Sequence, residues 1–235
     1  MDQALVSDQV DLYLWTSYTK TLEYKNGMRK AIPAHHRLVE IQERLGLRSI
    51  YQKFIGILSG TKSFKETLRI RHPSQWLLEW KEMHNLLFEH VLIDRGNWRR
   101  VDVRFGDSGD EDLYRIPNFQ KVPLAVANLA EQVVGLISIN SLSIIEKYSI
   151  LAKIHYEFIR IHPFFDGNGR IARAITDQLS IYFGFPPAMG GYPRHNPKNR
   201  KAYHKAIRSC VDDPTCGLLA KWIENYIEKQ IQNLA

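Results

Sequence analysis

His162-Pro163-Phe164-Phe165-Asp166-Gly167-Asn168-Gly169-Arg170-Ile171-Ala172-Arg173 lies between two stretches of helical period, and the fold is read outward from it. Upstream, Ser143 and Glu146 have the spacing of a capping box. They precede Ile144, Tyr148, Leu151, His155 and Phe158, which share one helical face. Pro163 stops that helix, because the residue before a proline is pushed out of α geometry. Downstream a second helix begins near Arg170 and runs through Ile171, Ile175, Leu179 and Tyr182 to Gly184. Two amphipathic helices joined by a short glycine-rich turn form the expected centre of the domain.

The flanks continue the helical pattern. A helix is expected from about Val122 to Ile137, and another after Ser74, with Leu77, Trp80, Met83, His84, Leu87, Phe88 and Val91 on its apolar face. His84 and His90 read as packed or surface histidines. Beyond a Pro/Gly-rich loop, helices from about Lys198 to Cys210 and from Thr215 to Ile231 end the chain. Two exceptions break the pattern. Trp98 to Phe105 alternates with period two and Leu113 to Ile116 could return beside it, a small β-hairpin. Asn26-Gly27 is a second hairpin-turn signal. A helix from about Ala34 to Leu45 should close at Gly46. The expected class is all-α with one small hairpin, divided into an appendage of unread role at 1–60 and a main domain at 61–235.

Composition narrows the function classes. At 235 residues, with 44% hydrophobic and 24% charged side chains, the chain can bury a full core. Two cysteines, Cys210 and Cys216, exclude a disulfide scaffold and a multi-cysteine zinc site. No apolar run approaches the roughly 20 residues of a membrane span, and Met1-Asp2-Gln3-Ala4 lacks a basic leader region, so a cytoplasmic location without membrane contact is expected, in its own cell or after delivery into another. The net charge of +7 is concentrated. The stretch Arg160 to Arg208 has nine Lys and Arg against Asp166 and Asp177, and the remainder is neutral. Such a segment suits a nucleoside triphosphate as well as a nucleic acid, and no helix-turn-helix, RNP or zinc-finger pattern supports the latter.

The quoted loop carries the chemistry. Gly167 and Gly169 lack a Cβ, so backbone N–H groups can approach an oxyanion, and the next helix aims its positive end at the same place. Arg170 and Arg173, three apart, share a face of the first turn and can reach phosphate oxygens. Two cations at a helix N-terminus oppose the dipole, which points to a negative ligand. Asp166 offers a hard oxygen for Mg²⁺, and His162 an imidazole able to take a proton. A base, a metal ligand, an anion nest and two guanidinium groups within twelve residues describe phosphoryl or nucleotidyl transfer.

Gly167 to Ala172 also satisfies the G-x-G-x-x-A dinucleotide pattern. That fingerprint requires a preceding strand and an acid about twenty residues on. Here the preceding residues have helical period and Phe183 to Pro193 contains no acid, so the reading fails on context.

His162 to Arg173 resembles, without departure, the signature H-x-F-x-[D/E]-G-N-G-R-x-x-R of the Fic family. The resemblance extends over about Ser74 to Ile231. It implies a Fic-like helical bundle whose hairpin is the family's flap, with closing helices resembling Asn199 to Tyr203 and Leu218 to Ile223. It also implies a protein adenylyltransferase that moves AMP from ATP to a Tyr, Thr or Ser hydroxyl. By position, His162 resembles the general base and Asp166 the Mg²⁺ ligand. Gly167, Asn168 and Gly169 would form the anion hole, with Arg170, Arg173 and Tyr203 on the nucleotide. The target protein would add a strand along the flap at Val101, Val103, Tyr114 and Ile116.

Many members of the family carry an inhibitory [S/T]-x-x-x-E-[G/N] segment whose Glu pairs with the second motif arginine. No complete copy is present. Thr19 to Glu23 continues with Tyr24, and Glu224-Asn225 has Ala220 where Ser or Thr belongs. Glu224 is therefore the candidate partner of Arg173, with an ordinary surface role the alternative, in which case the chain is either unrestrained or controlled by a separate antitoxin-like protein. Intact Gly167 and Gly169 favour AMP over phosphocholine or a terminal phosphate. Transfer of another nucleotide-derived group, or a silent nucleotide-binding module, remain the competing readings.

Overall fold

The computed structural model describes residues 36–58, 68, 71–89, 91–92, 94–103, 116–189 and 197–234. Seven α-helices account for most of them: α1 His36–Leu58, α2 Pro73–Leu87, α3 Val122–Ile137, α4 Ile144–Ile161, α5 Asn168–Tyr182, α6 Pro197–Ser209 and α7 Gly217–Leu234. A 3₁₀ turn, Phe119–Lys121, leads into α3. The described residues contain no β-strand, and none of their helices is long and apolar enough to cross a membrane.

The pair α4 and α5 is the centre, as the sequence predicts. Leu151, Ala152 and Phe158 from α4 and Ile171, Ile175 and Leu179 from α5 are fully buried. Around this pair α3 and α7 pack on α4, α6 packs on α7, and α2 packs on α3. Helix α1 lies on α2, and both reach α5. The predicted capping box is formed: Glu146 N–H donates to Ser143 Oγ at 3.3 Å and Ser143 N–H to Glu146 Oε2 at 2.7 Å. It fixes where α4 starts, and therefore which residues occupy its far end at the loop.

Two local expectations are corrected, and a third, the hairpin, lies largely outside the described residues. Helix α2 is capped by His72 rather than Ser74. Ser74 N–H donates to His72 Nδ1, the Gln75 side chain accepts from His72 N–H, and Pro73 suits the first helical position. Gly46 does not close a helix but sits inside α1. A Cβ there would stand 2.3 Å from the Leu86 carbonyl oxygen and 2.5 Å from Leu87 Cα, so this glycine permits α1 to touch the backbone of α2. Trp98 to Val103 has no strand pairing. Residues 104–115, with Tyr114 and most of the proposed hairpin, lie outside the described residues, as do Asn26-Gly27 and Thr19 to Glu23. Val101 is 3% exposed and its carbonyl accepts from Arg99 at 2.9 Å, so it belongs to the core and not to a docking edge. Val103 and Ile116 are partly buried.

Candidate active site

The loop from His162 to Gly167 is built by its own residues. Helix α4 ends with His162 in the left-handed region at φ 50°, its N–H donating to Phe158 O at 3.1 Å. Phe164 is wholly buried and anchors the turn. Asn168 closes it: its Oδ1 accepts from Phe164 N–H and its Nδ2 donates to Phe164 O, both at 2.8 Å. Asn168 is therefore a staple, and only its backbone remains to meet a ligand. Gly167, at φ 78°, is the N-cap of α5. Its conformation and the Phe88 ring, 2.7 Å from where a Cβ would be, favour glycine at this position. Among the described residues no side chain caps α5, so the N–H groups of Asn168 and Gly169 stand at an uncapped helix start without an intrahelical acceptor.

His162 is half-buried and its pKa is pushed down to about 4, chiefly by burial, with the Arg99 charge acting in the same direction. It is neutral at physiological pH. Nδ1 lies 3.3 Å from the Ile159 carbonyl, which can only accept, so Nδ1 holds the proton and Nε2 is the basic nitrogen. Asp166 points Oδ1 at Gly167 N–H (2.6 Å) and Arg170 (3.2 Å). Its other oxygen, Oδ2, is buried without a hydrogen-bond partner. An orphaned carboxylate oxygen beside an anion nest fits a divalent cation that arrives with phosphate. Among the described residues no cluster of three His, Cys, Asp or Glu would hold a metal unaided.

Arg170 reaches Asp166 and Glu43 and lies over the Phe88 ring, its Cζ 5.2 Å from the centroid. Arg173 folds back over the nest, since its guanidinium nitrogen is 3.4 Å from where a Gly169 Cβ would be. It shares a positive field with α6: after burial, Arg200, Arg173 and Arg208 hold the His204 pKa below its ordinary value. The structure thus brings together His162, Asp166, Gly167, Asn168, Gly169, Arg170 and Arg173. Tyr203 is set apart. It is 2% exposed and its hydroxyl is 2.7 Å from His155 Nε2, so as placed it packs in the core. Glu224 bonds Lys221 of its own helix at 2.7 Å, an ordinary surface pair, and not Arg173.

Two buried residues that sequence reasoning passed over hold the site. Arg99 donates from Nε to His162 O and from its backbone to Pro163 O, both at 2.8 Å. His84, read as merely packed, stacks on Phe164 with centroids 4.0 Å apart and planes 5° from parallel. Arg99 gave no local signal. His84 had one, a polar ring within an apolar stripe.

Residues 77–180 match the sequence model of the Fic/DOC family. The chain is 26% identical over 140 residues to a protein adenylyltransferase Fic from Culex quinquefasciatus, covering 59% of this chain and 26% of that protein. It spans about a quarter of the length of such curated relatives. In fold it is similar to Fic-1 (residues 134–508) of C. elegans, with TM-score 0.61, 20% identity, and coverage of 98% of this chain and 61% of that one. It is also similar to BepC of Bartonella tribocorum, solved with bound AMPPNP, with TM-score 0.51, 15% identity, and coverage of 76% and 86%. With the loop, its two arginines and the surrounding helices all in place, residues 77–180 resemble the Fic/DOC family in sequence, and the described residues are similar to its solved structures in fold.

Proposed function

We propose that this domain transfers AMP from Mg²⁺-bound ATP to a Tyr, Thr or Ser hydroxyl of a protein, releasing pyrophosphate. The observation that carries the reading is the pairing of a neutral imidazole at one lip of the loop with an uncapped helix N-terminus at the other. Relatives named protein adenylyltransferase and a fold relative solved with AMPPNP point the same way.

The triphosphate lies over the Asn168 and Gly169 N–H groups, with Arg170 and Arg173 neutralising its outer phosphates. Asp166 Oδ2 would hold Mg²⁺, which when bound would neutralise phosphate charge. The hydroxyl oxygen of the target attacks the α-phosphorus and forms the new P–O bond. The bond from that phosphorus to the bridging oxygen breaks, pyrophosphate leaves with its electron pair, and the hydroxyl proton passes to His162 Nε2. A neutral base, oriented by the Ile159 carbonyl, needs no prior deprotonation at pH 7. The chemistry asks for positioning and charge neutralisation more than covalent catalysis.

Labelled ATP and Mg²⁺ with a cell lysate test this. The label appears on protein with wild type, and His162→Ala reduces the rate by about 10²–10⁴-fold while still binding ATP. Label that persists with His162→Ala, or transfer of a terminal phosphate in place of AMP by intact mass, overturns the reading.

A further inference from the structure

Helix α1 lies wholly outside the matched residues 77–180, yet it meets the phosphate loop's own helix at two polar contacts. Glu43, 6% exposed, forms an ion pair with Arg170. Two turns further on, the Tyr51 hydroxyl donates to Asp177, which is wholly buried and also accepts from Met189 N–H. Eight residues along α1 and seven along α5 separate the contacts, roughly 12 and 10 Å of helix, so the two helices run side by side in the same direction. Between these rungs Ile50 adds apolar packing, Phe54 adds more just beyond Tyr51, and Gly46 lets α1 settle on α2. The helix is clamped in register, and Glu43 is the end of the clamp that faces the site.

We propose that Glu43 is a positioning residue for the nucleotide site, holding the Arg170 guanidinium in its phosphate-facing arrangement, and that α1 is thereby part of the nucleotide-binding unit. The inference rests on the function proposed above. Arg170 is held on three sides, by Glu43, by Asp166 and by the Phe88 ring beneath it. Asp166 is committed to a cation when nucleotide is bound, so it is a poor permanent anchor. Glu43 is free of that duty. A guanidinium has five N–H donors, and one carboxylate at the rear leaves the rest for phosphate oxygens. Ordering a long side chain during folding removes that cost from ligand binding.

Isothermal titration of the full chain with ATP and Mg²⁺, together with KM and kcat for protein labelling, tests the assignment. Glu43→Gln is expected to raise Kd and KM about tenfold, with kcat changed much less, and Glu43→Asp to recover part of the loss. Tyr51→Phe cuts the other rung without touching Arg170. It is expected to lower the melting temperature while Kd stays within about twofold. If Glu43→Gln binds as tightly as wild type or more tightly, or if Tyr51→Phe weakens binding equally, Glu43 has no such role. If wild type itself binds no ATP, the proposed function falls and this inference with it, a result distinct from loss of the Glu43 effect alone.

Discussion

His84 Nε2 lies 3.2 Å from the carbonyl oxygen of Asp166, while its Nδ1 accepts from Gly96 N–H at 2.8 Å. One neutral ring, 1% exposed, therefore ties α2 to the site loop and to the turn at Gly96, with the proton fixed on Nε2. His84→Phe keeps the stack on Phe164 but strands the Gly96 N–H and the Asp166 carbonyl. It should cost about 1–3 kcal/mol of stability, measured by urea denaturation. A midpoint equal to wild type would show that these bonds hold nothing.

Acid should unfold this protein through its buried histidines. Burial holds both His84 and His155 at about 3, with Arg170 and Arg173 respectively adding to the effect, against an ordinary value of 6.5. Between those values the unfolded chain binds the proton and the folded one does not, so stability rises with pH across that window. It is fully present above 6.5 and is lost progressively as pH falls, at about 1.4 kcal/mol per pH unit for each histidine. The arrangement around His155 explains the resistance. Thr176 Oγ1 donates to Ala172 O at 2.8 Å, so Nδ1–H donates to Thr176 and Nε2 accepts from Tyr203. Melting temperatures at pH 7.5, 6.0 and 5.0 should fall in that order, and a flat series would contradict the account.

The two loop glycines should separate folding from binding. Gly167→Ala places a Cβ at positive φ against the Phe88 ring and should cost about 1–3 kcal/mol. Gly169→Ala meets only Arg173, at 3.4 Å, and should melt with wild type while binding ATP more weakly. Differential scanning fluorimetry beside ATP titration distinguishes them, and equal melting losses would refute the distinction.

Alanine at position 46 gives a test against helix propensity. In an isolated helix Gly→Ala gains about 1 kcal/mol. Here the Cβ would meet backbone atoms of Leu86 and Leu87 well inside contact distance, and backbone cannot rotate away. Gly46→Ala should therefore lower the unfolding midpoint, and a gain in stability would mean α1 and α2 are not so closely packed.

Much of the fold was legible because its signals are local. The Ser143–Glu146 box, the apolar face of α4 and the proline at 163 each act within one turn, and they place both sides of the loop. Helix α3 runs Val122–Ile137 as its periodicity predicts. The misreadings concern residues whose meaning depends on a distant neighbour. Gly46 looks like a helix stop until α2 lies beside it. Tyr203 matches a nucleotide contact in a family pattern, but its hydroxyl is taken by His155, 48 residues away.

The sequence by itself determined the chemistry of the loop. His162, Asp166, the glycines and both arginines fall within twelve consecutive residues, on a turn followed by a helix start. Only the tertiary structure decided what holds them there: Arg99 on the carbonyls of His162 and Pro163, His84 on that of Asp166, and Glu43 on Arg170. Backbone carbonyls and buried charges accept partners from any part of the chain. The choice among those partners is made by helix packing and is not written in local spacing.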